Sequence, residues 1–271
     1  MGNIPSASAD VPGTQIIRRI ATLLRLLGAR NRQGARLMDL CRDAELERST
    51  VHRILQGLAA EGLVMQDHKS KRYYLGHSVY ELGLTAAPTV QLRDIAQPFL
   101  LAVAEQTGDT VFISERAGFD GVCLDRKDGG YPIKAFVLEP GRRRPLTVGC
   151  GNLSMLSALG DDEVARICMA NASRMSEKYP RITPDVLRQR IATTRRQGYA
   201  HTDVVETVGV SSVAMCIRDK ELRPVAAISV SSVSSRLEGQ RVAEAVAFLE
   251  HAVREIEARL PQVAGSRFTL R

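Results

Sequence analysis

Apolar residues between positions 48 and 58 recur at the spacing of a helix. The set at i, i+3, i+4 and i+7 comprises Val51, Ile54, Leu55 and Leu58. These residues stripe one face of a predicted helix. The opposite face carries donor groups and almost no negative charge, and its members are Arg48, Ser49, His52, Arg53 and Gln56. A helix with an apolar back and a cationic, hydroxyl-rich front has what recognition in the major groove of DNA requires.

The segment after this helix has the pattern of a basic β-hairpin. Gly62 follows the last apolar position and is predicted to end the helix as a C-cap. Residues 63–66 and 72–75 are strand-like runs, and they flank a polar turn over residues 67–71. A helix followed by a basic hairpin predicts a winged helix-turn-helix.

Two shorter patterns before this helix complete a small N-terminal domain. Thr14 is placed to cap a first helix, which Gly28 ends. The buried stripe of that helix is predicted to comprise Ile16, Ile20, Leu23, Leu24 and Leu27. A short second helix is indicated by Leu37, Leu40 and Cys41. Three helices and a hairpin are therefore expected in this part of the chain.

The pattern changes after a predicted linker helix at residues 79–84, which breaks near Pro88. A helix is expected over residues 90–106, with an inward face of Leu92, Ile95, Phe99, Leu100 and Val103. Strand-like runs follow at residues 110–114, at 121–125, around 133–138, at 210–217 and at 225–231. Helices are predicted over residues 153–159, 161–169, 185–197 (closed by Gly198) and 240–260. This order predicts a mixed α+β domain and not a regular βαβ winding.

Positive charge is concentrated in the N-terminal part of the chain. The 271 residues leave room for two domains, and the formal net charge is +7. Residues 14–76 hold 12 Lys and Arg against 6 Asp and Glu, so +6 of the excess lies in that segment. Because this segment also holds the candidate recognition helix, the distribution favours a polyanionic partner.

The cysteines and the termini bear on the compartment. Five cysteines without CxxC spacing support neither a disulfide framework nor a zinc ribbon, so a reducing cytoplasm is the expected location. Residues 1–13 are small and polar with two prolines, which predicts a disordered lead and not a signal peptide. No segment approaches the roughly 20 apolar residues that span a bilayer, so no membrane partner is expected.

Four motifs occur in order along the chain. They are RSTVHR at 48–53 with EGL at 61–63, YYLG at 73–76 leading to ELG at 81–83, RQGYA at 196–200, and AAISVS at 226–231. Together, at this spacing, they make the chain resemble the IclR family of bacterial transcriptional regulators over roughly residues 14–262.

The resemblance implies an α+β architecture. An N-terminal winged helix-turn-helix is joined by a linker helix to a GAF-like α/β effector-binding domain. The expected divisions are a disordered lead at 1–13, a DNA-binding domain at 14–76, the linker helix at 77–89, an effector-binding and oligomerisation domain at 90–262 and a tail at 263–271. The resemblance also implies a homodimer or homotetramer on a palindromic operator in double-stranded DNA, with no cofactor, no metal and no catalytic residues.

For DNA, the family's recognition helix matches Arg48, Ser49, Thr50, His52 and Arg53. Near the helix start, the hydroxyls of Ser49 and Thr50 and free backbone N–H groups are suited to grip a phosphate. Arg53 and His52 are better placed for base edges. On the wing, Lys69, Lys71 and Arg72 are expected to meet the DNA backbone or the minor groove. The alternative is that Ser49 and Thr50 only cap the helix and that the lysines are solvated turn residues.

For the effector, the resemblance implies a pocket between the sheet and a loop. It assigns Ile133 and Phe136 as apolar walls, and Arg144, Cys150, Gly151 and Asn152 to the loop and the start of the next helix. Polar positions on the later strands are matched by Thr202, Ser212, Ser229 and Ser231. Small residues let a ligand carboxylate approach the N–H groups at a helix N-terminus, where the dipole favours an anion. Ser229 and Ser231 alternate, so they point to the same face of a strand.

The chain departs from the common family pattern in two places. Many members have a Gly-Lys pair where this chain has Asn152-Leu153, and many have an apolar residue where it has Arg144. The second change suggests that Arg144 clamps the carboxylate of a small organic, possibly aromatic, acid bidentately. The alternative is that Arg144 is a surface charge in a run of three arginines, that Cys150 is a packing residue and that Ser212 bonds to the backbone.

Two other functions fit parts of the sequence. Cys150 in a glycine-rich loop is a candidate nucleophile with His201 as its base, but no motif ties the two together. The second alternative is a DNA-binding protein whose C-terminal domain only oligomerises, because the last helix and residues 229–235 also suit an interface. The favoured hypothesis is a ligand-responsive repressor or activator of transcription.

Overall fold

A computed structural model describes residues 13–31, 33–85 and 90–260 of the chain. These residues form two compact units that divide between Val90 and Gln91. The predicted tail over residues 263–271 and the predicted break at Pro88 lie outside the described residues, as does the predicted lead over residues 1–13 apart from Gly13.

The first unit has the elements of a winged helix-turn-helix. Its helices are α1 (Gln15–Gly28), α2 (Leu37–Ala44), α3 (Arg48–Ala60) and α4 (His77–Thr85). Its strands, β1 (Val64–Gln66) and β2 (Tyr73–Leu75), pair antiparallel with Met65 opposite Tyr74. The three helices and the hairpin that the sequence predicts are therefore confirmed, and α4 begins two residues before the predicted linker helix.

The apolar stripe of α3 forms the centre of this unit's core. All four stripe residues are buried, and they pack against Leu23 and Leu27 of α1 and Leu40 of α2. The stripe predicted for α1 needs one correction, since the Ile16 side chain is 46% exposed. Ile16 lies in the first turn of the helix, one turn before the packed positions begin at Ile20.

The end of α3 is set by Gly62. The Gly62 amide donates to the Ala59 carbonyl at 3.1 Å, and the Leu63 amide donates to the Leu58 carbonyl at 2.9 Å. This is the Schellman arrangement, which requires a residue with positive φ. Gly62 has a φ of 68°. The predicted C-cap is therefore confirmed, and it directs the chain from α3 straight into β1.

The second unit is built on one six-stranded antiparallel sheet. Its strands are β3 (Thr110–Ala117), β4 (Asp120–Asp128), β5 (Arg143–Pro145), β6 (Ala200–Asp203), β7 (Val210–Arg218) and β8 (Pro224–Val233). The order across the sheet is β5-β4-β3-β8-β7-β6. Its helices are α5 (Val90–Thr107), α6 (Cys150–Ser157), α7 (Asp161–Lys178), α8 (Pro184–Gln197) and α9 (Gln240–Arg259), with a short 3-10 helix at Ser234–Arg236.

The two faces of this sheet bury different sets of residues. On one face, α5 and α9 pack against alternate strand residues such as Ile228 and Val230. On the other face, the residues between them turn toward α6, since Ala227 belongs to the core that α6, α7 and α8 form. The period of two along a strand explains this division. It also places Ser229 on the α6 face, where the candidate effector site lies.

The second unit differs from the predictions in four details. The strand expected around residues 133–138 is absent, since residues 129–142 are irregular, and the edge strand is the three-residue β5 instead. The strand β6 is not predicted, because its sequence Ala-His-Thr-Asp is short and polar. Finally, α6 begins at Cys150, three residues before the predicted start, and α7 extends nine residues beyond Met169.

Candidate functional site

The exposed face of α3 is the first candidate site. Opposite the buried stripe, the side chains of Arg48, Ser49, His52, Arg53 and Gln56 are exposed, whereas Thr50 is partly buried. The N-cap residue is Glu47, and no side chain caps the helix. Ser49 and Thr50 therefore do not cap the helix, in contrast to the alternative interpretation of the sequence. The amides of the first turn have no intrahelical partner and are available to an anion.

The wing is a tight turn organised by Asp67. The amide and the hydroxyl of Ser70 both donate to Asp67 Oδ1 at 2.6 Å, and these bonds lower the pKa of the Asp67 carboxyl. Lys69 and Lys71 are exposed at the tip, and Lys71 has a positive φ of 57°. Both lysines are thus presented to solvent by a turn of defined shape.

Arg72 differs from the two wing lysines. Its Nη1 donates to the Gly34 carbonyl at 2.9 Å, which joins the wing to the segment between α1 and α2. The guanidinium is therefore already engaged within the protein, and the expected role of Arg72 as a direct DNA contact is weakened. The structure favours a role in holding the wing.

The second candidate site is a cavity of about 40 Å³ in the second unit, on the α6 face of the sheet. Eight of the ten residues assigned to the effector line it, namely Arg144, Cys150, Gly151, Asn152, Thr202, Ser212, Ser229 and Ser231. They come from β5, α6, β6, β7 and β8, so residues far apart in the sequence meet at one place.

The two expected apolar walls, Ile133 and Phe136, do not line this cavity. Their side chains are 59% and 60% exposed, and the Phe136 ring lies 4.4 Å from the guanidinium carbon of Arg126. The reason is that residues 129–142 form an irregular connection and not a strand that turns these side chains inward.

Other residues supply the walls that sequence reasoning missed. They lie on β3, at the end of β6 and in the connections around the cavity, and they are Phe112, Ser114, Val137, Leu138, Val148, Gly149 and residues 203–206. The strand pattern could have predicted the position of Phe112. It lies between Val111 and Ile113, which are buried on the opposite face of the sheet. No local signal marks residues 204–206, which reach the cavity only through the fold.

The N-terminus of α6 opens onto the cavity. Gly149 has a φ of 90° and precedes the helix, and the amides of Cys150, Gly151 and Asn152 have no intrahelical partner. A Cβ atom on Gly151 would lie 3.6 Å from the Cβ of Ala227, so a small residue lets α6 approach β8 closely. These free amides and the helix dipole favour an anion at this end.

Arg144 is buried beside this helix start. Its Nη2 donates to the Val137 carbonyl at 2.5 Å and pairs with Glu206 Oε1 at 3.1 Å, while its buried Nε has no partner within the described residues. Burial lowers the pKa of the Arg144 guanidinium, and the charge of Glu206 acts in the opposite direction. Only 6% of the residue is exposed, whereas Arg142 and Arg143 face solvent. Arg144 is therefore not a surface charge.

Hydroxyl and thiol groups line the rest of the cavity. Ser212 Oγ and Ser231 Oγ lie 2.6 Å apart, and either one donates to the other. The Cys150 thiol donates to the carbonyls of Ala200 at 3.2 Å and Ser212 at 3.1 Å. Burial raises the pKa of the Cys150 thiol to about 12. A protonated, buried thiol whose hydrogen is already shared with carbonyls is poorly suited to act as a nucleophile.

The side chain of Asn152 has a structural role. Its Nδ2 donates to the Pro145 carbonyl at 3.0 Å and ties α6 to β5. A Cβ atom on Gly121 would lie only 2.0 Å from Asn152 Oδ1, so the amide packs directly over that glycine. The Asn152 side chain is therefore engaged in holding α6 against β4 and β5.

Two further kinds of feature are absent from the described part of the chain. No group of three or more His, Cys, Asp and Glu side chains is arranged to hold a metal ion there. None of the helices described is both long enough and apolar enough to cross a membrane.

Comparison with known proteins gives consistent matches along the chain. The model of the IclR helix-turn-helix domain matches residues 17–68, and the model of the bacterial transcriptional regulator IclR C-terminal domain matches residues 84–258. The glycerol operon regulatory protein of Streptomyces coelicolor is 32% identical over 91% of this chain and 96% of its own length. The transcriptional repressor IclR of Escherichia coli K12 is 25% identical over 92% of each chain.

Solved structures share the fold. An IclR homolog complexed with 4-hydroxybenzoate from Microbacterium hydrocarbonoxydans superimposes with a TM-score of 0.69 at 21% identity. The match covers 90% of this chain and 98% of that one.

Proposed function

This chain belongs to the IclR family of bacterial transcriptional regulators, and we propose that it senses a small organic carboxylate in the cavity beside α6. Family membership makes it a DNA-binding regulator with an effector-binding domain and not an enzyme. The identity of the effector, its binding residues and the response to it are the parts that we propose.

One observation carries the assignment of a carboxylate. The buried guanidinium of Arg144 lies beside Gly149, at the start of α6, where the free amides of the first turn also favour an anion. Arginine and backbone N–H groups are the donors that proteins use for carboxylates. The hydroxyls of Ser212, Ser229 and Ser231 add neutral donors that orient an acid. Binding of 4-hydroxybenzoate by a homologue supports an aromatic acid as one member of this class.

For DNA, we assign recognition to the exposed face of α3. Arg53 and His52 reach base edges, while Arg48, Ser49 and Thr50 meet phosphates near the helix start. Lys69 and Lys71 contact the backbone or the minor groove from the wing, and Arg72 positions the wing through Gly34. In the cytoplasm, two or four copies bind a palindromic operator. Effector binding shifts the spacing of the winged helices through the linker at residues 77–89.

A second candidate function is favoured by the size of the cavity. Its volume of about 40 Å³ has room for a few water molecules, since a void of roughly 10–15 Å³ holds one, but it is far below the roughly 300–1,000 Å³ of a small-molecule site. An aromatic acid needs more room than this. A C-terminal domain that only holds copies of the chain together would need no larger cavity.

A thermal-shift screen separates the two functions. The purified protein is heated with acetate, propionate, benzoate and 4-hydroxybenzoate, together with the variants Arg144→Met and Arg142→Met. Arg142 is a matched control, because it is an exposed arginine two residues away. The sensor function predicts a stabilising acid whose effect is lost only in Arg144→Met, since a ligand at 100 times its Kd adds about 2.7 kcal/mol. Stabilisation by none of the acids favours the oligomerisation function.

A further inference from the structure

We infer that Glu206 is a built-in competitor of the effector: its carboxylate occupies Arg144, and the effector acid must displace it to bind. This inference rests on the proposed function of the cavity. Glu206 belongs to the connection between β6 and β7, residues 204–209. Residues 204–206 of that connection line the cavity directly.

The geometry of the pair shows why displacement is favourable. Glu206 reaches Arg144 through one contact, from Oε1 to Nη2 at 3.1 Å. The Arg144 Nε is buried without a partner within the described residues, so the guanidinium is only partly satisfied. A carboxylate that bonds two N–H groups of the fork side by side forms the stronger, bidentate arrangement. The incoming acid therefore gains a contact that Glu206 does not make.

The same guanidinium holds two walls of the cavity in place. Nη2 donates to the Val137 carbonyl in the connection before β5 and contacts Glu206 in the connection before β7. Both connections are irregular, and the second is closed by bonds from the Val204 amide to the Val210 carbonyl and from the Thr207 amide to the Val204 carbonyl. Replacing Glu206 by a ligand carboxylate thus frees one wall.

This release supplies the room that the cavity lacks. The Glu206 side chain is 29% exposed, against 8% for Arg144, so its carboxylate has a route to water when it leaves. The connection that carries Glu206 then moves outward. This movement enlarges the space beside Arg144 and the space at the α6 N-terminus at the same time. The volume of about 40 Å³ is then that of the closed form, and the open form has room for an organic acid.

Competition by an attached carboxylate lowers the apparent affinity for the effector. The effector binds only molecules in which Arg144 is free of Glu206. Its apparent Kd is therefore the intrinsic Kd divided by the fraction of such molecules. A short connection keeps the competing group at a high effective concentration. We therefore expect the wild type to bind its acid about tenfold more weakly than a variant without the Glu206 charge.

The test is a calorimetric titration of full-length wild type, Glu206→Gln and Asp203→Asn with the four acids of the thermal-shift screen. Asp203 lines the same wall, but its Oδ1 accepts a bond from Ser211 Oγ and it makes no described contact with Arg144. Asp203→Asn therefore measures the effect of removing one negative charge from the cavity. The inference predicts an affinity gain of about tenfold in Glu206→Gln and less than about threefold in Asp203→Asn.

Equal gains in the two variants, or no gain in Glu206→Gln, overturn the inference and leave the proposed sensor intact. If none of the acids binds either the wild type or Glu206→Gln, the proposed function itself falls, and the inference falls with it.

Hydrogen exchange on the wild type gives a second readout that needs no variant. Saturation with the bound acid is expected to speed exchange of the Val204 and Thr207 amides, because their bonds break as the wall opens. It is expected to slow exchange in the first turn of α6. Binding without faster exchange at residues 204–207 contradicts displacement.

Discussion

The hydroxyl oxygens of Ser212 and Ser231 lie 2.6 Å apart across the β7–β8 pair, at the wall of the cavity. One hydroxyl donates to the other, so this bond uses one of the two protons and leaves the second for another acceptor. Both residues are buried. The pair therefore offers a single oriented donor to a ligand, and it does so without adding charge.

Ser231→Ala tests this role. Losing the bond is expected to lower the free energy of unfolding by about 1 kcal/mol and to weaken binding of the acid roughly fivefold. Denaturant unfolding and calorimetry measure the two effects. Ser235→Ala is the control, because Ser235 is an exposed serine in the 3-10 helix that follows the same strand. A loss of stability with unchanged affinity would make the pair a link between strands only.

The DNA surface is tested by two variants with different signatures. After selection of a bound sequence from random DNA, Arg53→Ala is expected to lose about 1–3 kcal/mol of discrimination at one base position. Lys71→Ala is expected to weaken binding to all DNA sequences alike. The slope of log affinity against log salt concentration should fall in magnitude by about one. Arg25→Ala, an exposed arginine on α1, is the control. Unchanged sequence preference in Arg53→Ala contradicts base recognition by α3.

Replacement by alanine is expected to have opposite effects at two glycines, one inside the recognition helix and one just after it. Gly57 lies inside α3 with open space where a Cβ would stand, so Gly57→Ala should stabilise by roughly 0.5–1 kcal/mol. Gly62 has a positive φ, and its Cβ would lie 2.7 Å from Ser78 Oγ. Gly62→Ala should therefore destabilise by more than about 1 kcal/mol. Denaturant midpoints compare the two, and a stabilised Gly62→Ala contradicts the described helix end.

The carboxyl of Glu115 is expected to make the stability of the protein depend on pH. Burial raises the pKa of this carboxyl from 4.5 to about 7 in the folded protein. The protonated form is favoured in the folded state, so its stabilisation is complete below pH 4.5 and is lost as the pH rises to 7. Glu115→Gln should flatten the decline in melting temperature over this range, whereas Glu105→Gln, at an exposed position, should not. Parallel curves for Glu115→Gln and wild type contradict the raised pKa.

The elements that the sequence predicts best are those with a long, regular period. The stripe of α3 and the late strands β7 and β8 are predicted because burial on one face repeats every 3.6 or 2 residues. The segment 133–138 has strand-like composition, but Gly129, Gly130 and Pro140 bound it, and β4 pairs only with the three-residue β5 at that edge. Local propensity was overridden there by the lack of a partner strand.

The candidate site was predictable only in part. Serines at alternate positions of β8 and small residues before α6 mark one side of the cavity in the sequence. Glu206 carries no such mark, because its contact with Arg144 joins an irregular connection to strand β5, and the two residues are 62 positions apart in the sequence. The burial of Arg144 is equally hidden in a run of three arginines, two of which face solvent. Such contacts depend on the tertiary fold and not on a local pattern.

The most direct measurement joins the two proposed sites in one experiment. The affinity of full-length protein for its selected DNA is measured with and without the stabilising acid, for wild type, Arg144→Met and Arg142→Met. A carboxylate sensor predicts that the acid changes DNA affinity in wild type and Arg142→Met, and that Arg144→Met binds the DNA without responding. An equal response in all three proteins, or no response in the wild type, would contradict a carboxylate sensor built on Arg144.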